Sequence, residues 1–182
     1  MNLSANPIAK PVPMSQKNII YAIIILLLTF IAYLPVFQLG FTNYDDQRYI
    51  LENQRLHISI QNIFYYFSHF FDGHYHPLTM LSFMTDHWLY GINATGFHTS
   101  NLILHLLNNL LVFVFILKLT GKGQTAFFTA LLFGICPLGV ESVAWISERK
   151  NLLYTFFLLI SLIFYLKYNR GNNKKHYILA IL

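Results

Sequence analysis

The sequence predicts an all-α fold, a polytopic bundle of transmembrane helices. Composition is the first reason: 55% of the 182 residues are hydrophobic and only 10% are charged, whereas a soluble domain carries about 25% charged residues. Four long apolar runs are the second reason, because a helix of about 20 apolar residues crosses the hydrocarbon core of a bilayer. The distribution of charge between these runs is the third reason.

Acidic and basic residues alternate between the segments that separate the apolar runs. All seven acids lie in residues 40–99 and 139–150, namely Asp45, Asp46, Glu52, Asp72, Asp86, Glu141 and Glu148. Eight of the twelve Lys and Arg residues lie in the other segments, which contain no acid. Because the cytoplasmic loops of membrane proteins are enriched in Lys and Arg, this pattern predicts a cytoplasmic N-terminus and two non-cytoplasmic loops. The net charge of +5 then reflects orientation and not nucleic-acid binding.

The elements follow in order from these two patterns. Residues 1–18 are predicted to form a cytoplasmic tail, and residues 19–182 belong to one membrane domain. Spans are expected at about 19–39, 100–119, 124–138 and 151–168, with a fifth starting at 176, and external loops at 40–99 and 139–150. A run from 176 to 182 is too short to cross a bilayer. We therefore expect the chain to be the N-terminal fragment of a larger protein, inactive on its own.

The first external loop is predicted to carry two interfacial helices. Residues 60–71 (IQNIFYYFSHFF) are rich in aromatic side chains and nearly uncharged. They are too short to span the bilayer and too apolar to be solvated, so we expect them to lie on the outer leaflet. Residues 76–90 form the second such helix, with Pro77 near its start.

An adjacent acidic pair, Asp45 and Asp46, follows directly after the first span. A carboxylate at this position is suited to deprotonate or orient an acceptor hydroxyl during group transfer, or to bind a divalent metal. The alternative is a helix N-cap with solvated loop charges, since Asp is favoured at caps. Both interpretations stay open on the sequence.

Histidines are the second candidate group. Six lie in the external segment, at His57, His69, His74, His76, His87 and His98. Together with Asp72, His74 and His76 are a conceivable metal cluster, but no pair has the spacing of ligands on one helix face; we predict no metal site here. His105 lies inside the second span and shares a helix face with Asn101 and Asn108. An ionisable residue there indicates a functional group or an interhelical hydrogen bond.

The second external loop gathers Glu141, Glu148, Arg149 and Lys150. The two cations lie on the face where the charge pattern disfavours them. One interpretation is a site for a lipid-linked phosphate, with Arg149 binding two oxygens and Lys150 acting as a point charge. The other is a local salt bridge with Glu148 or Glu141.

Three stretches taken together resemble one family in order and spacing. They are FTNYDDQRYI, YHPLTMLSFMTDHWLYGINATGFHTSNLILHLLN and ALLFGICPLGVESVAWISERKNLLY. The chain resembles the membrane region of bacterial tetratricopeptide-repeat integral membrane proteins, which are related to the transmembrane O-mannosyltransferases of animals. The resemblance covers about residues 30–170 and implies a fold of the GT-C glycosyltransferase class. It also implies a polyprenyl-phosphate sugar donor, with transfer outside the cytoplasm.

The resemblance also implies roles for particular residues. Asp45 matches the catalytic acid and Asp46 its neighbour, while Arg149 and Lys150 match a basic pair that is a candidate for the donor phosphate. Further candidates for the substrate site are His76, His98, Asn101, His105 and Glu141. The chain departs from the family pattern at Cys136 and Gly139, where relatives have histidine, and at Asn151, where they usually have Asp. These departures indicate a copy that is impaired or specialised.

We therefore expect a membrane glycosyltransferase, when full length, that acts on the non-cytoplasmic face of the inner membrane. Its expected partners are the polyprenyl-phosphate donor, membrane lipid and a protein or glycan acceptor, without nucleic acid. No cofactor is required, although Mg²⁺ or Mn²⁺ at the carboxylate pair is compatible with the chemistry. The alternative is a non-catalytic membrane anchor or scaffold for a repeat domain. A transporter is disfavoured, because the spans lack midplane charges apart from His105.

Overall fold

Helices account for most of the chain. The structure is a computed structural model that describes residues 15–171 and 173–181. Its α-helices are α1 (Gln16–Ala32), α2 (Ile60–Ser68), α3 (Pro77–Tyr90), α4 (Ala94–Thr120), α5 (Gly123–Ile135), α6 (Val140–Ala144), α7 (Arg149–Gly171) and α8 (Lys174–Ile181). No strand occurs in these ranges, where Phe71 and His74 form an isolated bridge. The predicted all-α class is confirmed; most of the predicted tail, residues 1–14, lies outside the described residues.

Three helical stretches of the described chain are long and apolar enough to cross a membrane. They are Gln16–Gln38, Ala94–Thr120 and Ile146–Gly171. A fourth is Gly123–Ile135 with Pro137–Ala144, if this broken pair is a single span. The break falls at Pro137, which has no backbone N–H to continue the helical hydrogen bonds. The prediction of a multi-pass membrane protein is confirmed.

The chain divides into two units. The span unit comprises the described parts of Met1–Ala32, Leu106–Cys136 and Thr155–Leu182. Its core joins α1 and α5 through small residues, because Ala126, Ala130 and Gly134 recur every four residues on one face of α5 and are buried. Such a stripe lets two helix backbones approach closely in a membrane.

A polar contact lies next to that stripe. The Asn109 side-chain amide of α4 donates to the Thr29 hydroxyl of α1 at 2.7 Å, and both side chains are buried. At Gly134, an added Cβ would meet both of these polar groups. The glycine therefore leaves room for the hydrogen bond between α1 and α4.

The loop unit comprises Tyr33–His105 and Pro137–Tyr154. Its core is formed by buried side chains from α2, α3, α4 and the connecting segments, including Tyr49, Tyr66, Phe83, Phe97 and Ile146. Part of the aromatic content of residues 40–99 is therefore used for packing inside the protein.

Helix α2 shows how the first external segment folds. Ser59 caps its N-terminus by accepting a hydrogen bond from the Asn62 backbone N–H at 3.2 Å. The helix ends at Ser68, whose hydroxyl donates to the Phe64 carbonyl at 2.7 Å and so competes with the helical hydrogen bonds. Ile60, Phe64 and Phe67 form an exposed apolar face at helical spacing. The helix is thus shorter than the predicted 60–71.

Helix α3 begins at Pro77, whose fixed φ suits the first helical position. It ends at Tyr90, and the C-cap residue Gly91 adopts φ +64°, a conformation that favours glycine. Helix α4 follows at once and starts at Ala94, several residues before the predicted start of the second span at 100. The short connection places Asp86 of α3 close to the first turns of α4.

Candidate functional site

All the predicted site residues lie in the loop unit. They are Asp45, Asp46, His76, His98, Asn101, His105, Glu141, Arg149 and Lys150. They come from the segment before the π-helical turn Gln47–Leu51, from the start of α3, from the first turns of α4 and from the 137–154 segment. The fold therefore gathers residues from both predicted external loops into one structural unit.

The adjacent carboxylates Asp45 and Asp46 have different environments. Asp46 is 0% exposed. Its Oδ2 accepts the Thr42 backbone N–H at 2.9 Å, and its Oδ1 accepts the backbone N–H of Ser147 at 2.9 Å and also the Ser147 hydroxyl. Asp46 stands at the N-cap of the π-helical turn, but its side chain makes no capping hydrogen bond. Its carboxylate instead connects the segment around Thr42 to the 137–154 segment.

Asp45 lines an open cleft. The cleft has a volume of about 500 Å³ and its lining is mainly polar; it is formed by Asn43, Tyr44, Asp45, Gln47, Arg48, Glu52 and Asp72, and we call it the acidic cleft. Arg48 is largely exposed and forms an ion pair with Asp72 at 2.9 Å. Gln47 donates to Glu52 at 2.6 Å. Asp45 is thus the member of the acidic pair that a substrate in the cleft can reach.

Tyr49 and His76 form an aromatic pair in the same unit. Their rings stack with centroids 5.2 Å apart. Burial raises the pKa of Tyr49 to about 12, and the nearby charges of Asp45, Asp72 and Glu148 add to the shift. Burial also lowers the pKa of His76 to about 4, helped by His74 and Lys150. Both rings are therefore neutral at pH 7, within the electrostatic reach of Asp45 and Lys150.

Arg149 is buried, with 1% of its surface exposed. Its guanidinium forms an ion pair with Asp86 at 2.6 Å and donates to the Asn101 side chain at 2.6 Å and to the Phe97 carbonyl at 2.9 Å. The guanidinium also lies 4.7 Å from the ring centroid of Phe83. In this structure the guanidinium is directed into the protein, so binding a donor phosphate would require this network to open.

The acid that pairs with Arg149 is not one of the two nearby glutamates that the sequence offered. Neither Glu148 nor Glu141 pairs with Arg149; Asp86 does. Burial raises the pKa of Asp86, while the Arg149 guanidinium and the Ser100 hydroxyl, at 2.7 Å, favour its charged form. Sequence reasoning gave Asp86 no role, although an acid within the apolar segment 76–90 signals a partner, since an unpaired carboxylate is costly at a membrane.

The other basic residue, Lys150, is about one-third exposed and pairs with Glu148 at 2.8 Å. It is therefore the accessible cation of the predicted basic pair. Glu141 is exposed at the start of α6 and lines neither the acidic cleft nor the adjoining cleft around Arg55 and Tyr65.

The polar stripe at the start of α4 is buried. His98 lies with Nε2 3.4 Å from the Gly40 carbonyl oxygen. Asn101 donates to the Val143 carbonyl at 3.3 Å and accepts from Arg149. His105 packs its ring against Tyr33, with centroids 4.8 Å apart. These residues join the 137–154 segment and residues 33–40 to α4.

The carboxylates near Asp45 are the candidates for a metal site. Across residues 15–171 and 173–181, no three His, Cys, Asp or Glu side chains are grouped in a way that would hold a metal ion. The Asp46 carboxylate already accepts three hydrogen bonds, and the Asp72 carboxylate forms an ion pair with Arg48. The arrangement of these carboxylates does not fit a divalent cation.

Fold and site together define a multi-pass membrane protein whose loop unit presents one accessible carboxylate beside a buried one. The chain is similar to several proteins named as O-mannosyl-transferases. It is 33% identical over 134 residues to Protein O-mannosyl-transferase TMTC2 of Mus musculus, which covers 69% of this chain and 16% of that protein. It is 36% identical over 115 residues to Protein O-mannosyl-transferase TMTC4 of Homo sapiens, covering 56% of this chain and 16% of that protein.

A third relative is Protein O-mannosyl-transferase TMTC1 of Homo sapiens, 39% identical over 98 residues, or 53% of this chain and 11% of that protein. The matched region thus spans about a sixth or less of the length of these relatives. No family model and no solved structure matches the chain. The similarity supports a relationship to the O-mannosyl-transferases and a glycosyltransferase-like membrane protein.

Proposed function

We propose that the full-length protein is an integral membrane glycosyltransferase that moves a sugar from a polyprenyl-phosphate donor to an acceptor hydroxyl. The observation that carries this proposal is the separation of the acidic pair. Asp46 is locked in the protein, whereas Asp45 is accessible from a polar cleft of about 500 Å³. The similarity to proteins named as O-mannosyl-transferases supports the class of reaction and suggests mannose as the sugar.

The chemistry is a single displacement at the anomeric carbon of the donor sugar. The acceptor oxygen forms a bond to that carbon while the bond from the carbon to the phosphate oxygen breaks. Asp45 takes the proton of the acceptor hydroxyl as a general base. The polyprenyl phosphate leaves with the bonding electron pair, and Lys150 compensates the negative charge that develops on it.

The arrangement of charges supports this division of roles. Asp45 adds to the raised pKa of Tyr49 and Lys150 to the lowered pKa of His76, and these two rings stack with centroids 5.2 Å apart. Arg149, proposed from the resemblance to share the phosphate with Lys150, is held by Asp86. We assign it here to holding the segment that carries Lys150.

The proposed orientation follows from the charge pattern. The N-terminus and the basic segment 170–175 lie on the cytoplasmic side, and the acidic cleft lies on the opposite side of the inner membrane. The exposed apolar face of α2 (Ile60, Phe64 and Phe67) rests on the outer leaflet in this arrangement. A lipid-linked donor then reaches the cleft laterally from the membrane.

The proposal is tested by transfer of label from radioactive polyprenyl-phosphate mannose to cell-envelope material. Membranes that contain the full-length parent are compared with membranes that contain its Asp45→Asn variant. Loss of a general base reduces the rate by about 100-fold or more. We expect the parent to incorporate label and the variant to lose it.

The matched control is Asp72→Asn, which removes the same charge from the same cleft. Its carboxylate is engaged by Arg48 in an exposed ion pair, which contributes about 1 kcal/mol at most. Transfer should therefore persist in this variant. Equal incorporation by the parent and Asp45→Asn, with both inserted and folded, would contradict the proposal and favour the membrane anchor.

A further inference from the structure

Ser147 has no role in the proposed displacement, yet it makes long-range hydrogen bonds at the site. It lies 101 residues from Asp46 in the sequence, and its side chain is buried. Its backbone N–H donates to Asp46 Oδ1 at 2.9 Å, and its hydroxyl donates to the same oxygen. One carboxylate oxygen is thus held twice by one residue of the second external segment.

The other oxygen of the Asp46 carboxylate is bound by a residue close to Asp46 in the sequence. Oδ2 accepts the Thr42 backbone N–H at 2.9 Å. The carboxylate therefore closes a short loop between Thr42 and Asp46, and Asp45 is part of this loop. Because consecutive Cα atoms are about 3.8 Å apart, fixing Asp46 and Thr42 leaves the backbone of Asp45 little freedom to move.

The segment that carries Ser147 is itself fixed. Asn101 of α4 donates to the carbonyls of Val143 and Trp145, at 3.3 Å and 3.4 Å. Arg149, two residues after Ser147, is anchored to Asp86. Trp145 also contacts Tyr44, with ring centroids 6.0 Å apart. The backbone around Ser147 is thus held in place, and its hydrogen bonds fix the position of Asp46 beside Asp45.

We propose that Ser147 is a positioning residue for transfer: it holds Asp46, and Asp46 in turn fixes Asp45 at the edge of the acidic cleft, facing the acceptor. This inference rests on the proposed function. The residue that touches substrate is Asp45, and Ser147 and Asp46 act through it. Lys150 follows Ser147 by three residues, so it belongs to the same anchored segment.

The experiment uses the full-length protein and three variants: Ser147→Ala, Asp46→Asn and their double variant. Ser147→Ala keeps the backbone hydrogen bond and removes only the hydroxyl. Asp46→Asn keeps the shape but can place an amide N–H against the Thr42 N–H. Small displacements of a reacting group reduce rates strongly, so we expect each single variant to lower kcat about 10-fold, with the KM for the donor changed less than about twofold.

The double variant distinguishes a positioning role from a purely structural one. If Ser147 acts through Asp46, the double variant is no slower than the slower single variant, because the second change removes nothing further. Multiplication of the two effects would overturn the proposal. So would an unchanged kcat in Ser147→Ala, or a drop in the melting temperature that accounts for the lost activity.

Hydrogen exchange supplies a readout that does not depend on activity. Backbone amides of residues 41–49 should exchange faster in Ser147→Ala than in the parent. The matched control is Ser142→Ala in the same segment, which should leave both exchange and kcat unchanged. If the parent itself transfers no sugar, the proposed function fails, and equal exchange in Ser147→Ala and the parent separately shows that the Ser147 hydroxyl does not hold this segment, which overturns the positioning role.

Discussion

Two neighbouring carboxylates, Asp45 and Asp46, have opposite surroundings. Asp46 is buried and accepts three hydrogen bonds, whereas Asp45 faces a cleft. The Asp46 carboxylate is engaged by donors within the protein and is buried, so a substrate in the cleft does not reach it. In the proposed function Asp45 therefore contacts the substrate, and its neighbour Asp46 supports the local structure.

Arg149 and Asp86 lead to a prediction about stability. Changing Arg149 to Met leaves the Asp86 carboxylate buried without its counter-ion, which costs about 3 to 5 kcal/mol. The double variant Arg149→Met with Asp86→Leu should recover much of that loss, since an apolar pair can replace a buried ion pair. Melting temperatures in detergent micelles measure both effects. Lys150→Met, at a partly exposed pair, serves as the control and should change stability by about 1 kcal/mol or less.

His76 gives a prediction about pH. Its pKa is about 4 in the folded protein and about 6.5 in an unfolded chain. Between these values the unfolded state binds a proton that the folded state does not, so stability falls as the pH is lowered from about 6.5 towards 4. The melting temperature of His76→Gln should fall less over this range than that of the parent. The exposed His69 provides the control variant His69→Gln, and equal pH profiles for His76→Gln and the parent would refute the prediction.

At the scale of elements, the span unit depends on close approach between helices. The buried small residues Ala126, Ala130 and Gly134 allow α5 to pack on α1, beside the hydrogen bond between Asn109 and Thr29. Apolar side chains gain little from leaving lipid for a protein interior. Close contact and polar pairing therefore supply the specificity of this packing.

Gly134 tests that account. A side chain at this position would collide with Asn109 and Thr29, so Gly134→Leu should destabilise the protein by about 1 to 3 kcal/mol or more. Thermal unfolding in detergent measures the loss. Gly40→Ala is the control, because an added Cβ there meets nothing within 4 Å. Equal melting temperatures for Gly134→Leu and the parent would rule out the close packing.

At the scale of the whole molecule, the orientation of the protein in the membrane is the property to test. Single cysteines are placed at Gln61 in the first external segment and at Gln124 at the start of α5, in a Cys136→Ser background. Both glutamines are exposed. A membrane-impermeant maleimide applied to intact cells should label the cysteine at 61 and not the one at 124, because the charge pattern places them on opposite sides.

Permeabilised cells provide the reference for this measurement. Both cysteines should react once the membrane is opened, which shows that each one is accessible. Labelling of the cysteine at 124 and not at 61 in intact cells would reverse the proposed orientation, and with it the side on which the acidic cleft lies.

Much of the fold follows from properties that are local in sequence. The apolar runs and the capping residues Ser59, Pro77 and Gly91 act within a few positions, so their effect can be predicted from the chain alone. The end of α2 at Ser68 was harder to predict. It depends on a side-chain hydrogen bond that competes with the helix, within a segment of uniform aromatic character.

The candidate site could be predicted in part. The residue types at Asp45 and Lys150 indicated transfer chemistry, and the loop unit contains both. The partners of Asp46 and Arg149 could not be predicted, because Ser147 lies 101 residues from Asp46 and Asp86 lies in a different predicted helix from Arg149. Hydrogen bonds over such separations leave no periodic signal in a single sequence.

By itself, the sequence determined that this protein is helical and crosses a membrane several times, since hydrophobicity and length are properties of contiguous residues. The tertiary structure alone decided which charged groups are available. It buried Asp46 and Arg149 in hydrogen-bonded networks and left Asp45 and Lys150 accessible. The physical reason is that desolvation of a charge depends on every segment packed around it, and those segments meet only when the chain folds.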